Sequence, residues 1–265
     1  MAEDFVKHED ALKEYDVKAF RTPDGYTSDN VIFTIVKDKE AKYGRILKVM
    51  LIKRAMKNKE GKPNIEGGKW ALPGGFIDPE ESAYEAAKRE LEEETKVKNI
   101  HIKKLDTYEK LGRDKRGWMI TKAHYAVVPE YQLSKRQAGD DAQEVELFDV
   151  DEVFKLPLAF DHELIIKDAL ELIKLDMVET TLAKEFLPKE FTLSELRSVI
   201  LSVSEEIANE VVKSEPFFWR KAPKFPFLEL AKDEEGSPKT IIVERAKTRL
   251  YKYIESRPID KSIYK

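Results

Sequence analysis

The sequence predicts an α+β chain in two parts, a body of strands and helices followed by a winged helix-turn-helix. Three observations predict it. β-branched runs at 31–36 and 47–52 lead into a helix with a small-residue stripe. The chain changes character after about residue 180. From there it runs helix, helix, short helix and β-hairpin over roughly 75 residues, the order of a winged helix. The expected division is an N-terminal segment at 1–25, a first domain at 26–180 and a winged-helix-like domain at 181–265.

Composition narrows the chemistry. The 265 residues carry 47 Lys and Arg against 51 Asp and Glu, a net charge of −4, and no cysteine. Without cysteine there is no disulfide scaffold, thiolate zinc site, iron–sulfur cluster or cysteine nucleophile. No apolar run approaches the roughly 18–20 residues that span a bilayer, so no membrane partner is expected. The start, Met1-Ala2-Glu3-Asp4-Phe5, lacks a signal-peptide apolar core, and a cytoplasmic protein is the expectation. The near-balanced charge conceals an asymmetry. Residues 216–265 hold 12 Lys and Arg against 7 Asp and Glu, which leaves the remainder acidic.

In chain order, Val31–Val36 and Leu47–Ile52 read as strands, and 55–68 as a polar loop with Asn58, Gly61, Pro63, Gly67 and Gly68. Ser82 with Glu85 fits a capping box, with Asp78-Pro79 as an alternative start, and Ala83, Ala86, Ala87 and Leu91 recur at helical spacing. Strands are expected at 99–108 and 119–128, a polar loop at 131–143, and a short mixed piece from Phe148 to Phe154. A helix from about His162 to Lys174 turns Leu164, Ile165, Ala169, Leu172 and Ile173 to one face. Thr192 and Glu195 form a second capping box, ahead of inward-facing Leu193, Leu196, Val199 and Ile200. A helical stretch at 205–213 and a short helix in Glu215–Lys221 follow. Runs at 227–230 and 240–243 then form a hairpin around 233–238.

The strongest chemical signal is Gly75, five residues, Glu81, seven residues, then Arg89-Glu90-Leu91-Glu92-Glu93-Glu94. Glu90, Glu93 and Glu94 stand at i, i+3 and i+4, so their carboxylates share a helix face and repel unless a cation neutralises them. A hard divalent ion, Mg²⁺ or Mn²⁺, suits such oxygens. Arg89 can hold a carboxylate through paired bonds, and Gly74-Gly75 lets the backbone approach closely. His8, His101, His124 and His162 show neither metal spacing nor a triad partner and receive no role.

The run Gly75–Val97 resembles the Nudix box of hydrolases that split nucleoside diphosphates linked to another group. All its charged positions are present as Glu81, Arg89, Glu90, Glu93 and Glu94, and Trp70-Ala71-Leu72-Pro73-Gly74-Gly75 precedes it in the usual way. Lys96 stands where the box has glycine. The resemblance implies a Nudix α/β/α sandwich with a mixed sheet. It implies Glu90 and Glu94 as metal ligands, Glu93 as bridging ligand or base, and Glu81 and Arg89 as orienting groups. Glu144 has two readings, a further carboxylate from a later loop or an ordinary solvated residue.

Gly112-Arg113-Asp114-Lys115-Arg116-Gly117 resembles the Arg-Asp-Pro-Arg loop of ADP-ribose-directed Nudix proteins, with Lys115 for proline. Arg113 and Arg116 could clamp a substrate phosphate, or simply be exposed hairpin charges. In Phe191-Thr192-Leu193-Ser194-Glu195-Leu196, Phe218-Trp219-Arg220-Lys221, Arg245-Ala246 and Leu250-Tyr251 the second half resembles the winged helix of Nudix-related regulators of NAD metabolism, which bind operator DNA as dimers. The resemblance therefore implies a metal-dependent hydrolase cutting ADP-ribose or a related compound to AMP and a sugar phosphate. Its alternative is an ADP-ribose-sensing transcriptional regulator of NAD metabolism that is a homodimer and binds double-stranded DNA through the winged helix. Arg220, Lys221 and Lys224 are the candidate DNA contacts, against the other reading of solvated surface charges.

Overall fold

The computed structural model describes residues 16, 22–58, 60–95, 100–130, 132, 142–243, 245–254 and 264. Most of the segment 1–25, most of the loop 131–143, and Lys96 lie outside them.

β1 (Gly25–Lys37) is the spine of a seven-stranded mixed sheet. It pairs parallel with β6 (Met119–Val127), and antiparallel with β2 (Arg45–Arg54) and β4 (Gly74–Phe76). β3 (Trp70–Ala71) and β7 (Ala142–Asp149) pair with β2, and β5 (His101–Tyr108) with β6. The expected strands at 31–36 and 47–52 fall inside β1 and β2. β7 does not match the expectation of a loop followed by a short mixed piece. Its Val145 and Leu147 supply the alternating apolar side chains, packing beside Ile32 and Met50.

Helices cover both faces. α1 (Ala83–Thr95) lies on the face carrying Ile32, Met50 and Ala126, and packs Leu91 against them. α2 (His162–Glu179) lies on the other, with Val31, Phe33, Ile35, Tyr125, Ile165, Ile166, Ala169 and Ile173 in one core. Alternate residues of β1 thus feed opposite layers, which is the α/β/α arrangement. α2 runs five residues past the expected end, and its buried face is turned from the expected one. Leu164 is 51% exposed, while Ile166, Leu170 and Met177 face inward.

Beyond α2, α3 (Leu193–Ser204) begins at a full capping box: Glu195 N–H donates to the Thr192 hydroxyl, and Thr192 N–H to the Glu195 carboxylate. All four expected inward residues, Leu193, Leu196, Val199 and Ile200, are buried. The helix expected at 205–213 is only the single turn α4 (Glu210–Lys213), started by the Asn209 side chain. α5 (Glu215–Lys221) follows. The β part differs from a simple hairpin. β8 (Leu228–Leu230) pairs with β11 (Tyr251–Tyr253), and β9 (Thr240–Val243) pairs with β10 (Ala246–Arg249).

The core of this C-terminal part is continuous with the α2 side of the sheet. Ser204 donates a hydroxyl bond to the Lys174 carbonyl at 2.9 Å, and Arg45 lies 3.7 Å from Glu195. No helix among the described residues is long and apolar enough to cross a membrane.

Candidate active site

The site is assembled where β4 meets α1. Ser82 and Glu85 exchange backbone and side-chain bonds at the start of α1. Two polar side chains of β1 then hold the helix against the sheet. The Ser28 hydroxyl donates to the Ala83 carbonyl and the Asn30 amide to the Ala87 carbonyl, each at 3.1 Å. Ala86 and Ala87 are fully buried, and their small side chains permit this approach.

Arg89 gathers the rest. Its Nε and Nη2 donate to Glu81 at 3.1 and 2.6 Å, Nη1 donates to Glu90 at 2.8 Å, and Nη2 reaches the Phe76 carbonyl at 3.3 Å. Glu93 lies 3.8 Å from the same guanidinium. The bond to Arg89 holds the Glu81 carboxyl below its usual range. Burial has the opposite effect on Glu90, raising its carboxyl in spite of Arg89. The reason is position: Glu90 is pressed against Gly75, where a Cβ would stand 2.3 Å from Glu90 Oε1.

These residues fit a divalent cation. A partly desolvated carboxylate at Glu90 and a solvent-facing one at Glu93, 59% exposed, occupy the same helix side. Among the described residues no three His, Asp or Glu side chains converge as a closed metal cluster. Glu94 lies on α1, but its side chain is outside the described residues.

The NUDIX domain model matches residues 29–169. The chain belongs to the NUDIX family. Such proteins generally work with divalent metal ions, in keeping with the donor set on α1. An ADP-ribose pyrophosphatase of Methanocaldococcus jannaschii is 44% identical over 125 residues, 46% of this chain and 64% of that protein. The ADPR responsive transcriptional repressor NtrR of Acinetobacter baylyi is 30% identical over 132 residues, 49% of this chain and 52% of that protein. This Nudix chain thus aligns with less than two thirds of either relative. The structure of Shewanella oneidensis NrtR complexed with a 27mer DNA superimposes with a TM-score of 0.64 at 26% identity, over 86% of this chain and 93% of that one. The likeness therefore extends beyond the matched residues 29–169 into the C-terminal part.

The other expected residues are scattered. Arg113 is buried, its side chain 4% exposed, with two bonds to Asp161 at 2.8 and 2.6 Å. Arg116 binds the buried Asp114 and lies 5.4 Å from the Phe76 ring and 5.3 Å from the Phe160 ring. Arg54, which the sequence did not single out, lies 5.1 Å from the same Phe160 ring. Glu144 sits on β7 opposite Lys53 and bonds it at 3.4 Å. Arg220, Lys221 and Lys224 are exposed at the end of α5 and just after it, with Arg220 over Phe217.

Sequence reasoning missed Asp29 and His162. His162 Nδ1 accepts the Leu72 N–H at 2.8 Å, and its Nε2 stands 3.9 Å from Asp29 Oδ2. Burial lowers the His162 imidazole to about 3 and His124 to about 4, and raises Asp29 to about 6. The signs oppose. As pH falls below about 6.5 the unfolded chain protonates its histidines first, so folding stability is lost down to the folded values. Asp29 takes up its proton first in the folded state, so its contribution grows between about 6 and 4. His162→Asn removes one histidine from this balance. Urea unfolding between pH 6 and 4 should then give a stability slope shallower than the wild type by up to about 1.4 kcal/mol per pH unit. Equal slopes would show that His162 is not held neutral.

Proposed function

We propose that this Nudix chain hydrolyses ADP-ribose or a close nucleoside diphosphate derivative, using Mg²⁺ or Mn²⁺, to AMP and a sugar phosphate. The observation that carries the reading is the Arg89 junction with Glu81, Glu90 and the Phe76 carbonyl, set against Gly75. The pyrophosphatase relative supplies the substrate class. Glu90, Glu93 and Glu94 would hold the ion, which neutralises diphosphate charge and acidifies a bound water. Arg89 fixes the direction of the Glu90 carboxylate, so that ligand geometry does not depend on a free rotor. Glu93, open to solvent, takes the proton of the attacking water on a carboxylate oxygen. Water adds across one P–O bond of the diphosphate, one fragment leaving as AMP. Arg116 and the Gly75 backbone remain candidates for the substrate phosphate.

Purified chain with Mg²⁺ should release AMP from ADP-ribose, and Glu94→Gln should lower kcat by about 10²-fold or more with the fold intact. No product from ADP-ribose or from a broad nucleotide panel would refute the reading.

A second reading is favoured by the C-terminal likeness to a DNA-bound relative and by the exposed Arg220, Lys221 and Lys224. In it the chain is a homodimeric, ADP-ribose-responsive regulator, each copy presenting one winged helix to half of a DNA site. Binding to duplex DNA from upstream of its own gene should weaken linearly in log–log salt titrations. Arg220→Ala should reduce that slope by about one phosphate contact. A slope unchanged by the substitution would remove Arg220 from the interface.

A further inference from the structure

We infer that Arg113, Asp161, His162 and Asp29 form a buried positioning network for the turn from Leu72 to Gly75 that backs Glu90, and that Arg113 is not a clamp on the substrate. The inference builds on the hydrolase reading for its kinetic consequences and on geometry for the rest.

The network joins three separate parts of the chain under one turn. Arg113 comes from the segment between β5 and β6, Asp161 and His162 from the start of α2, and Asp29 from β1. Arg113 donates two parallel bonds to Asp161 and lies 3.7 Å from Asp29, and its side chain is 4% exposed. A guanidinium so enclosed and so engaged has no face left for a phosphate. Asp161 stands at the N-cap of α2, yet its side chain makes no capping bond; it serves Arg113 instead.

From there the network reaches the turn twice. His162 Nδ1 accepts the Leu72 N–H, so the imidazole proton sits on Nε2, the atom nearest Asp29. Asp29 in turn packs on Gly74, where a Cβ would stand 2.7 Å from Asp29 Oδ1 and 2.3 Å from the Ser28 carbonyl. Leu72 and Gly74 flank Pro73, whose carbonyl accepts the Asn30 N–H at 2.8 Å. The next residue, Gly75, is the one against Glu90. Moving this turn by a fraction of an ångström therefore moves the surface on which Glu90 rests. Positioning errors of that size are costly for catalysis and for metal affinity.

Three variants of the full chain test this. Arg113→Lys keeps the charge and loses the paired bonds. His162→Leu removes the acceptor for Leu72, and His162→Asn restores one. A positioning role predicts that Arg113→Lys and His162→Leu lower kcat about tenfold or more with KM within about twofold, while His162→Asn recovers most of the loss. A rise in KM at unchanged kcat for Arg113→Lys would overturn the inference in favour of a substrate clamp.

A second readout needs no turnover. Mn²⁺ affinity without nucleotide, followed by electron paramagnetic resonance, should fall about tenfold in Arg113→Lys and His162→Leu but not in His162→Asn. Equal affinity in all three would overturn the inference. A wild type that binds Mn²⁺ but cleaves nothing refutes the hydrolase reading, and the Mn²⁺ comparison still decides the network. Should Arg113→Lys fail to fold, the His162 pair carries both readouts.

Discussion

The close approach of the Gly75 backbone to the Glu90 carboxylate is the contact on which the site depends. A carboxylate against backbone loses solvent on that side, and its charged form becomes harder to sustain. Arg89 offsets this with one bond while using two others on Glu81 and a fourth on the Phe76 carbonyl. The outcome is an oxygen donor that is oriented and partly desolvated, and that gains from a nearby cation. Such an arrangement needs both sides held. The helix side is fixed by Ser28 and Asn30, and the turn side by His162, Asp29 and the Asn30 backbone. β1 supplies anchors to both, which explains polar residues on a strand whose Ser28 and Asn30 are wholly buried.

The same strand and its neighbour connect the site to the rest of the molecule. β2 carries Arg45 at one end, beside Glu195 of the capping box of α3, and Arg54 at the other, over the Phe160 ring. Phe160 itself has a φ of 52°, a left-handed backbone unusual for a bulky residue, and it shares its ring between Arg54 and Arg116. The winged-helix part is thus packed onto the side of the sheet opposite α1, with one continuous apolar core between them.

Local signals were legible in the sequence. Both capping boxes and the β-branched runs are set by residues within a few positions of each other and appear in the structure as read, and Glu90 and Glu93 share one side of α1 as their spacing predicts. Features that depend on distant partners were not. β7 was missed because only Val145 and Leu147 alternate with Glu144 and Glu146, too short a run to stand out before it pairs with β2. The pairing of β8 with β11 rather than β9 follows the same logic. Arg113 has a phosphate-ligand reading by resemblance to the Arg-Asp-Pro-Arg loop and an exposed-hairpin reading from its flanking glycines, and neither foretells its burial. Its burial is created by Asp161, 48 residues away. His162 offered no motif because its partner is a backbone N–H 90 residues away.

The contact between Gly75 and Glu90 can be tested in isolation. Gly75 does not have a left-handed backbone, and the atoms its Cβ would meet are the far end of a side chain rather than backbone. Alanine at this position should therefore displace the carboxylate and leave the fold unharmed. The decisive measurement is Mn²⁺ affinity of Gly75→Ala beside the wild type, with thermal unfolding as control. The account predicts binding weakened by about tenfold or more at a nearly unchanged melting temperature. Wild-type affinity in the alanine variant would contradict it.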